Sequence, residues 1–215
     1  LFIELSEFLR CPEPHEDTFC VVAPDDMMGR MVTRGVVGCP VCRREYRIED
    51  GVVRFGDAAA GSRGQGRAEE PGVAGGPDLP DPDVVQALLG LGGPGGFVVL
   101  VGTAARLGGA LAERMGGVHF VGINPPPDVR VSPALSLLVH PDRIPLRAAM
   151  ARGVMLGAER ATPSWIAEGT RVLLDGLRLV VAGGDVVAPG LERLAAGRGL
   201  WVGQKTGGGK GRESR

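Results

Sequence analysis

The segment GFVVLVGTAARLGGALAERMGGVHFVGIN, residues 96–124, decides how the larger part of this chain is read. FVVLV is a continuous apolar run of strand length bounded by Gly96 and Gly102, which suits a strand covered on both faces. RLGGALAERM spaces its apolar residues for a helix, and the pair Gly116-Gly117 stops it. VHFVGIN then repeats the strand signal. Strand, helix and strand in about 30 residues is the repeating unit of a parallel sheet.

The pattern continues outward in both directions. Upstream, DPDVVQALLGLG carries an Asp N-cap followed by helix-spaced Val and Leu. Downstream, Pro125, Pro126 and Pro127 forbid a helix from starting at once. ALSLLVHP and RGVMLG are further short apolar segments. PSWIAEGTRVLL predicts a helix starting near Pro163, with Trp165, Ile166 and Val172 facing inward. LRLVVAGG and GLWVGQ supply late strands. The expected fold class is α/β: a small β-rich N-terminal module plus a Rossmann-like layer with a mainly parallel sheet.

Composition divides the chain into zones. Residues 1–56 hold all four Cys and the only Tyr. Residues 57–82 are Gly, Ala, Pro and charge without apolar periodicity, the composition of a flexible linker. Residues 83–204 form the α/β layer, and 205–215 read as a disordered basic Gly-rich tail. A hydrophobic fraction of 44% with a formal charge of −1 excludes global disorder and a nucleic-acid-binding polycation. Gly at 36 of 215 residues suggests a bacterial-type compositional bias, so Gly-rich motifs carry less weight here. No apolar run reaches the 18 residues of a membrane span. LFIELSEFLR is too acidic for a secretory signal, and four Cys without one imply a cytoplasmic, reducing address and a metal rather than disulfides.

The metal reading rests on Cys-Pro pairs. Cys39-Pro40-Val41-Cys42 is a knuckle that presents two thiolates to one ion, and Cys11-Pro12 repeats the signature. Cys11, Cys39 and Cys42 are therefore three ligands of a zinc site. The fourth is His15, with Cys20 as the alternative: a second knuckle would place it at Pro14, one residue short of His15, while Cys20 sits in the apolar run TFCVV. Four protein ligands leave no open position, so the zinc is structural and supplies the cohesion that about 55 residues can barely provide. Asp50-Gly51 is a hairpin signal between alternating strands.

These residues also carry a resemblance. LSEFLRCP followed by GCPVCRREYRIEDGVV resembles the short zinc-ribbon family whose eukaryotic members activate methyltransferases. Tyr46, Ile48, Asp50, Gly51 and Val52 match its closing turn, and the likeness spans residues 5–55. The larger part resembles a degenerate class I S-adenosylmethionine-dependent methyltransferase. Its order of helix, strand, Gly-containing loop, helix and strand agrees, as does EGTRVLLDGLRLVV with the family's helix-turn-strand.

Departures from that family set the functional expectation. Leu100 stands at the first acidic position. Gly102 is retained, but Ala104 and Arg106 replace the next two glycines, where only Gly lets a ligand approach closely. Asn124 replaces the ribose-binding carboxylate and lacks its charge and symmetric acceptors. The resemblance thus implies a pseudoenzyme with no catalytic residues, serving protein–protein contact with a protein partner or larger assembly, without nucleic acid. The alternative is an active methyltransferase with an atypical loop and its activator-like ribbon in cis, in which Gly102, Thr103 and Asn124 would bind the cofactor. His119, His140 and Asp142 read as structural or solvated residues. GGGKG lacks the Walker spacing, and no nucleophile elbow is present.

Overall fold

The computed structural model describes residues 1–56, 79–183 and 186–207. The N-terminal module is an antiparallel meander of β1 (Val21–Met28), β2 (Met31–Gly38), β3 (Glu45–Glu49) and β4 (Val52–Arg54). The α/β layer contains α1 (Pro82–Leu89), β5 (Phe97–Val101), α2 (Gly108–Arg114), β6 (His119–Ile123), β7 (Leu135–Val139) and β8 (Ala151–Leu156). It continues through α3 (Pro163–Val172), β9 (Leu173–Ala182), β10 (Leu191–Gly197) and β11 (Leu200–Lys205). Among the described residues, these eleven strands join one sheet in the order β1-β2-β3-β4-β7-β6-β5-β8-β9-β11-β10. The chain is mixed α/β with a largely parallel core.

Within that sheet β7, β6, β5, β8 and β9 are parallel, and β5 starts the progression in both directions. This is the reversal of a doubly wound Rossmann-like layer, whose crevice lies beyond the carboxyl ends of the strands. β11 returns antiparallel beside β9 and pairs with β10 at the edge.

β5 is apolar throughout because both of its faces are covered. Val98 and Leu100 join the core beneath α1 and α2, with Phe120, Met155 and Val180. Val99 and Val101 face the opposite core, with Val121, Ile123, Val154 and Val181. Period-two alternation thus feeds two cores from one run. α1 starts at the Asp81 cap, whose side chain accepts from the Asp83 N–H at 2.7 Å. α3 buries Trp165, Ile166 and Val172, as its spacing predicts.

The N-terminal module completes the second core. The β7–β8 connection, residues 140–150, contains no helix, and Leu1, Leu5 and Leu9 pack there with Ile144, Leu146 and Met150. The Arg10 N–H donates to the Pro145 carbonyl at 3.0 Å, and the Arg147 N–H to the Phe8 carbonyl at 2.8 Å. Each fully buried Leu contributes about 1.5–3 kcal/mol. β4 also pairs parallel with β7, placing Val53 opposite Leu138. The turn before β4 is the Asp50-Gly51 pair, with φ of 50° and 77°, which suits a two-residue hairpin loop.

Of the expected linker, residues 57–78 lie outside the described residues, whereas Asp81 and Pro82 belong to the start of α1. Lys205 ends β11, and residues 208–215 of the expected tail are likewise outside. Among the described residues no helix is long and apolar enough to cross a membrane.

Candidate functional site

Two constellations matter. The first is at the far end of the N-terminal meander. The Cys11 N–H donates to the Thr18 carbonyl at 3.0 Å, closing a loop that carries His15. Cys39 directly follows β2, and the Arg43 N–H donates back to its carbonyl at 3.0 Å, which tightens the Cys-Pro-Val-Cys knuckle. The ligand atoms of Cys11, His15, Cys39 and Cys42 all lie within 4.8 Å of one another. Cys11 Sγ and Cys42 Sγ are 3.7 Å apart, and Cys39 Sγ is 3.4 Å from His15 Nε2. A zinc tetrahedron with ordinary bond lengths has S–S and S–N edges of about 3.8 and 3.5 Å, so the donor set fits that ion. His15 Nδ1 lies 2.7 Å from the Glu16 carbonyl oxygen. A proton donated there leaves Nε2 its lone pair toward the cluster.

The thiols differ electrostatically. Burial pushes the Cys11 thiol up to about 11. Burial also works to raise Cys39, but the N–H groups of Cys42 and Val41 and the adjacent thiols outweigh it, and its pKa falls to about 7. Cys39 thus forms its thiolate more readily than Cys11. Tyr46 closes one side: its hydroxyl donates to Glu13 Oε1 at 3.2 Å and lies 3.7 Å from Cys11 Sγ. Cys20 is not in this cluster; it is buried in the core, where burial lifts its thiol to about 12.

The second constellation is the crevice at the carboxyl ends of β5 and β6. Leu100 is fully buried in the apolar core. Gly102 turns the chain with φ of 66°, and a Cβ built there would overlap the Glu159 carboxylate. Glu159, just after β8, reaches across to Thr103. Its Oε1 accepts the Thr103 N–H at 2.7 Å and its Oε2 accepts the hydroxyl at 2.8 Å. Ala104 is buried, and Arg106 makes a two-pronged pair with Asp128 at 2.8 and 2.9 Å. Asn124 holds φ of 49° and spends its amide on one backbone unit. Its Nδ2 donates to the His140 carbonyl at 2.7 Å, and its Oδ1 accepts the His140 N–H at 2.9 Å. Around this turn Glu159 is thus committed to Thr103, Arg106 to Asp128 and Asn124 to His140, whereas Arg160, also packed against Gly102, keeps a buried Nε without a hydrogen-bond partner among the described residues.

The two remaining histidines have structural surroundings. His119 Nε2 lies 2.9 Å from Ser136 Oγ, its ring stacks on Phe2 at 4.2 Å, and burial lowers its pKa to about 4. His140 Nδ1 accepts the Arg143 N–H at 3.0 Å, and burial again lowers its pKa. Asp142 is exposed.

Sequence reasoning missed Glu159. Its available signal was position: a carboxylate shortly after a strand of the parallel sheet lies at the crevice. It also missed Glu168 and Arg171 on α3. Arg171 bonds both Glu168 oxygens at 2.9 and 2.7 Å and donates to the Leu146 and Ile144 carbonyls. Glu168 Oε2 also accepts the Ile144 N–H at 2.9 Å, so the pair pins the β7–β8 connection to the helix.

No family model matches the chain, and no curated protein matches it. Among solved structures it is similar to the antibiotic-resistance methyltransferase Kmr, at 14% identity and a TM-score of 0.43 over 60% of this chain and 95% of that one. A S-adenosylmethionine-dependent methyltransferase from Aquifex aeolicus gives 15% identity and 0.42, over 58% and 88%. The complex of the Haloferax volcanii Trm112 methyltransferase activator with a methyltransferase gives 19% and 0.38, over 45% and 50%. Such identities and TM-scores are those of distant likenesses, and the fold stands on the strand order described above.

Proposed function

We propose that this chain is a non-catalytic accessory or scaffold protein, a structural zinc ribbon built in cis onto a methyltransferase-like α/β layer that does not hold the cofactor. The observation that carries the reading is the Glu159 carboxylate on the Thr103 N–H and hydroxyl. The Gly102 turn, where the related enzymes admit S-adenosylmethionine, is met by a side chain of the protein itself. Leu100 supplies no carboxylate, and the Asn124 amide is engaged by His140. The crevice residues thus do not fit S-adenosylmethionine, and no methyl-transfer step is derived from them.

The N-terminal donors do fit zinc. Cys11, His15, Cys39 and Cys42 would hold it, with Cys20 left to the core. Bound there, the ion supplies a cross-link between the loop after residue 10 and the knuckle after β2. With four protein donors the role is structural.

The partner in this reading is another protein. Supporting surface is the outer edge of the sheet at β1, where Val21, Met27 and Met28 are exposed. Calorimetric titration with S-adenosylmethionine tests the assignment. The zinc-loaded protein is expected to give no binding heat at millimolar cofactor, and a saturable isotherm with turnover would make it an enzyme.

A further inference from the structure

A cleft of about 340 Å³ lies where the N-terminal module meets the β7–β8 connection, and three arginines line it: Arg10, Arg143 and Arg171. We propose that it binds a small organic anion through a carboxylate or phosphate group. This goes beyond the scaffold reading and stands whether or not that reading holds.

The three guanidinium groups are not equivalent. Arg171 is neutralised by Glu168 and builds the wall. Arg10 is held by backbone, its Nη1 donating to the Leu9 carbonyl at 2.9 Å and the Glu7 carbonyl at 3.3 Å. Its Nε is 3.7 Å from Asp17, a loose contact with a rim carboxylate that is 72% exposed. Arg143 donates from Nη1 to the Pro12 carbonyl at 3.2 Å, and no carboxylate pairs with its guanidinium among the described residues. Arg10 Nη2 and Arg143 Nε and Nη2 therefore remain without partners there.

Backbone carbonyls orient these groups without cancelling their charge. An orientated guanidinium fork with free donors is matched by the two oxygens of a carboxylate or phosphate. The remaining walls include Pro12, Pro145 and Leu146, which accommodate a compact apolar body. The volume falls in the small-molecule range. Asp17 is the one carboxylate among the residues lining the cleft, against three arginines. His15, a donor of the metal cluster, also lines the cleft, so an occupant would bridge the N-terminal module to the β7–β8 connection and α3.

The test is an amide NMR titration of the zinc-loaded protein with inorganic phosphate and, separately, with benzoate, at ionic strength held constant with chloride. Saturable shifts at the amides of Arg10, Cys11, Arg143 and Leu146, with a Kd in the millimolar range or below, are expected for at least one anion. Phosphate alone identifies a phosphate site, benzoate alone a carboxylate site. Arg143→Gln is expected to weaken that binding about tenfold without changing zinc content. Arg143→Lys keeps the charge but loses the fork, and a similar loss is expected. No saturable shift up to about 20 mM of either anion, or unchanged binding in both variants, overturns the proposal.

Discussion

Glu159 and Thr103 are joined by two hydrogen bonds, at 2.7 and 2.8 Å, across the turn that follows the central strand of the sheet. The contact spans 56 positions of the chain and ties the β5 loop to the β8 loop. In a doubly wound layer this is the mouth of the crevice, where a ligand's polar groups would otherwise meet backbone N–H groups. A self-contained pair there leaves both donors of Thr103 satisfied by the protein itself.

Removing the carboxylate tests the pair locally. Glu159→Ala is expected to cost about 1 kcal/mol, because the pair is exposed and water replaces part of what is lost. The Thr103 amide should exchange with solvent faster while amides of Val99 stay protected. Unchanged Thr103 exchange would mean that the bond does not persist in solution.

The cysteine cluster makes a sharper prediction. Cys39→Ser or Cys42→Ser is expected to abolish stoichiometric zinc, and His15→Ala to lower zinc affinity sharply. Cys20→Ala should keep the metal and cost about 1 kcal/mol as a core truncation. The sequence alone suggests that such loss unfolds only residues 1–56. Since Leu5 and Leu9 share a core with Val121 and Leu138, and β4 pairs with β7, a lowered Tm of one shared transition is expected instead. Elemental analysis and calorimetric melting check both parts.

His119 links stability to acid. Its folded pKa, lowered to about 4 by burial, lies below the usual 6.5. Above 6.5 it is neutral in both folded and unfolded chains, and no penalty arises. As pH falls, the unfolded state takes the proton first, so stability drops between pH 6.5 and 4, by roughly 3 kcal/mol in full. Urea denaturation at pH 7 and pH 4.5 measures this, and His119→Gln should flatten the dependence. An equal slope in the variant would assign the acid sensitivity elsewhere.

Glu168→Ala leaves the Arg171 guanidinium and the Ile144 N–H without their part-buried partner. A loss of about 2–3 kcal/mol is expected. Protease cleavage within residues 140–150 should rise with it. Glu168→Gln keeps the Ile144 bond and should cost less.

How much of this was legible depends on what each residue faces. β5 and β6 were readable because each is buried on both sides, which leaves a continuous apolar signature. The Asp50-Gly51 turn and the Asp81 cap were readable because their chemistry is local. β1 and β10 are exposed over most of their length, and β1 contains Pro24, so neither shows the alternation that announces a strand. The β4–β7 pairing joins three residues to a strand more than 80 positions away, a relation no local pattern encodes. At the crevice, the residues to question were visible as departures from a known pattern. Their partners Glu159, Asp128 and His140 were not, because those bonds are set by the packing of separate loops.

The account stands most directly on one measurement, the amide spectrum of the zinc-loaded protein titrated with S-adenosylmethionine into the millimolar range. The resonances of Gly102, Thr103 and Asn124 are expected to stay in place, with Thr103 still protected by Glu159. Saturable movement of those three resonances together would contradict the account and show a crevice that opens to its cofactor.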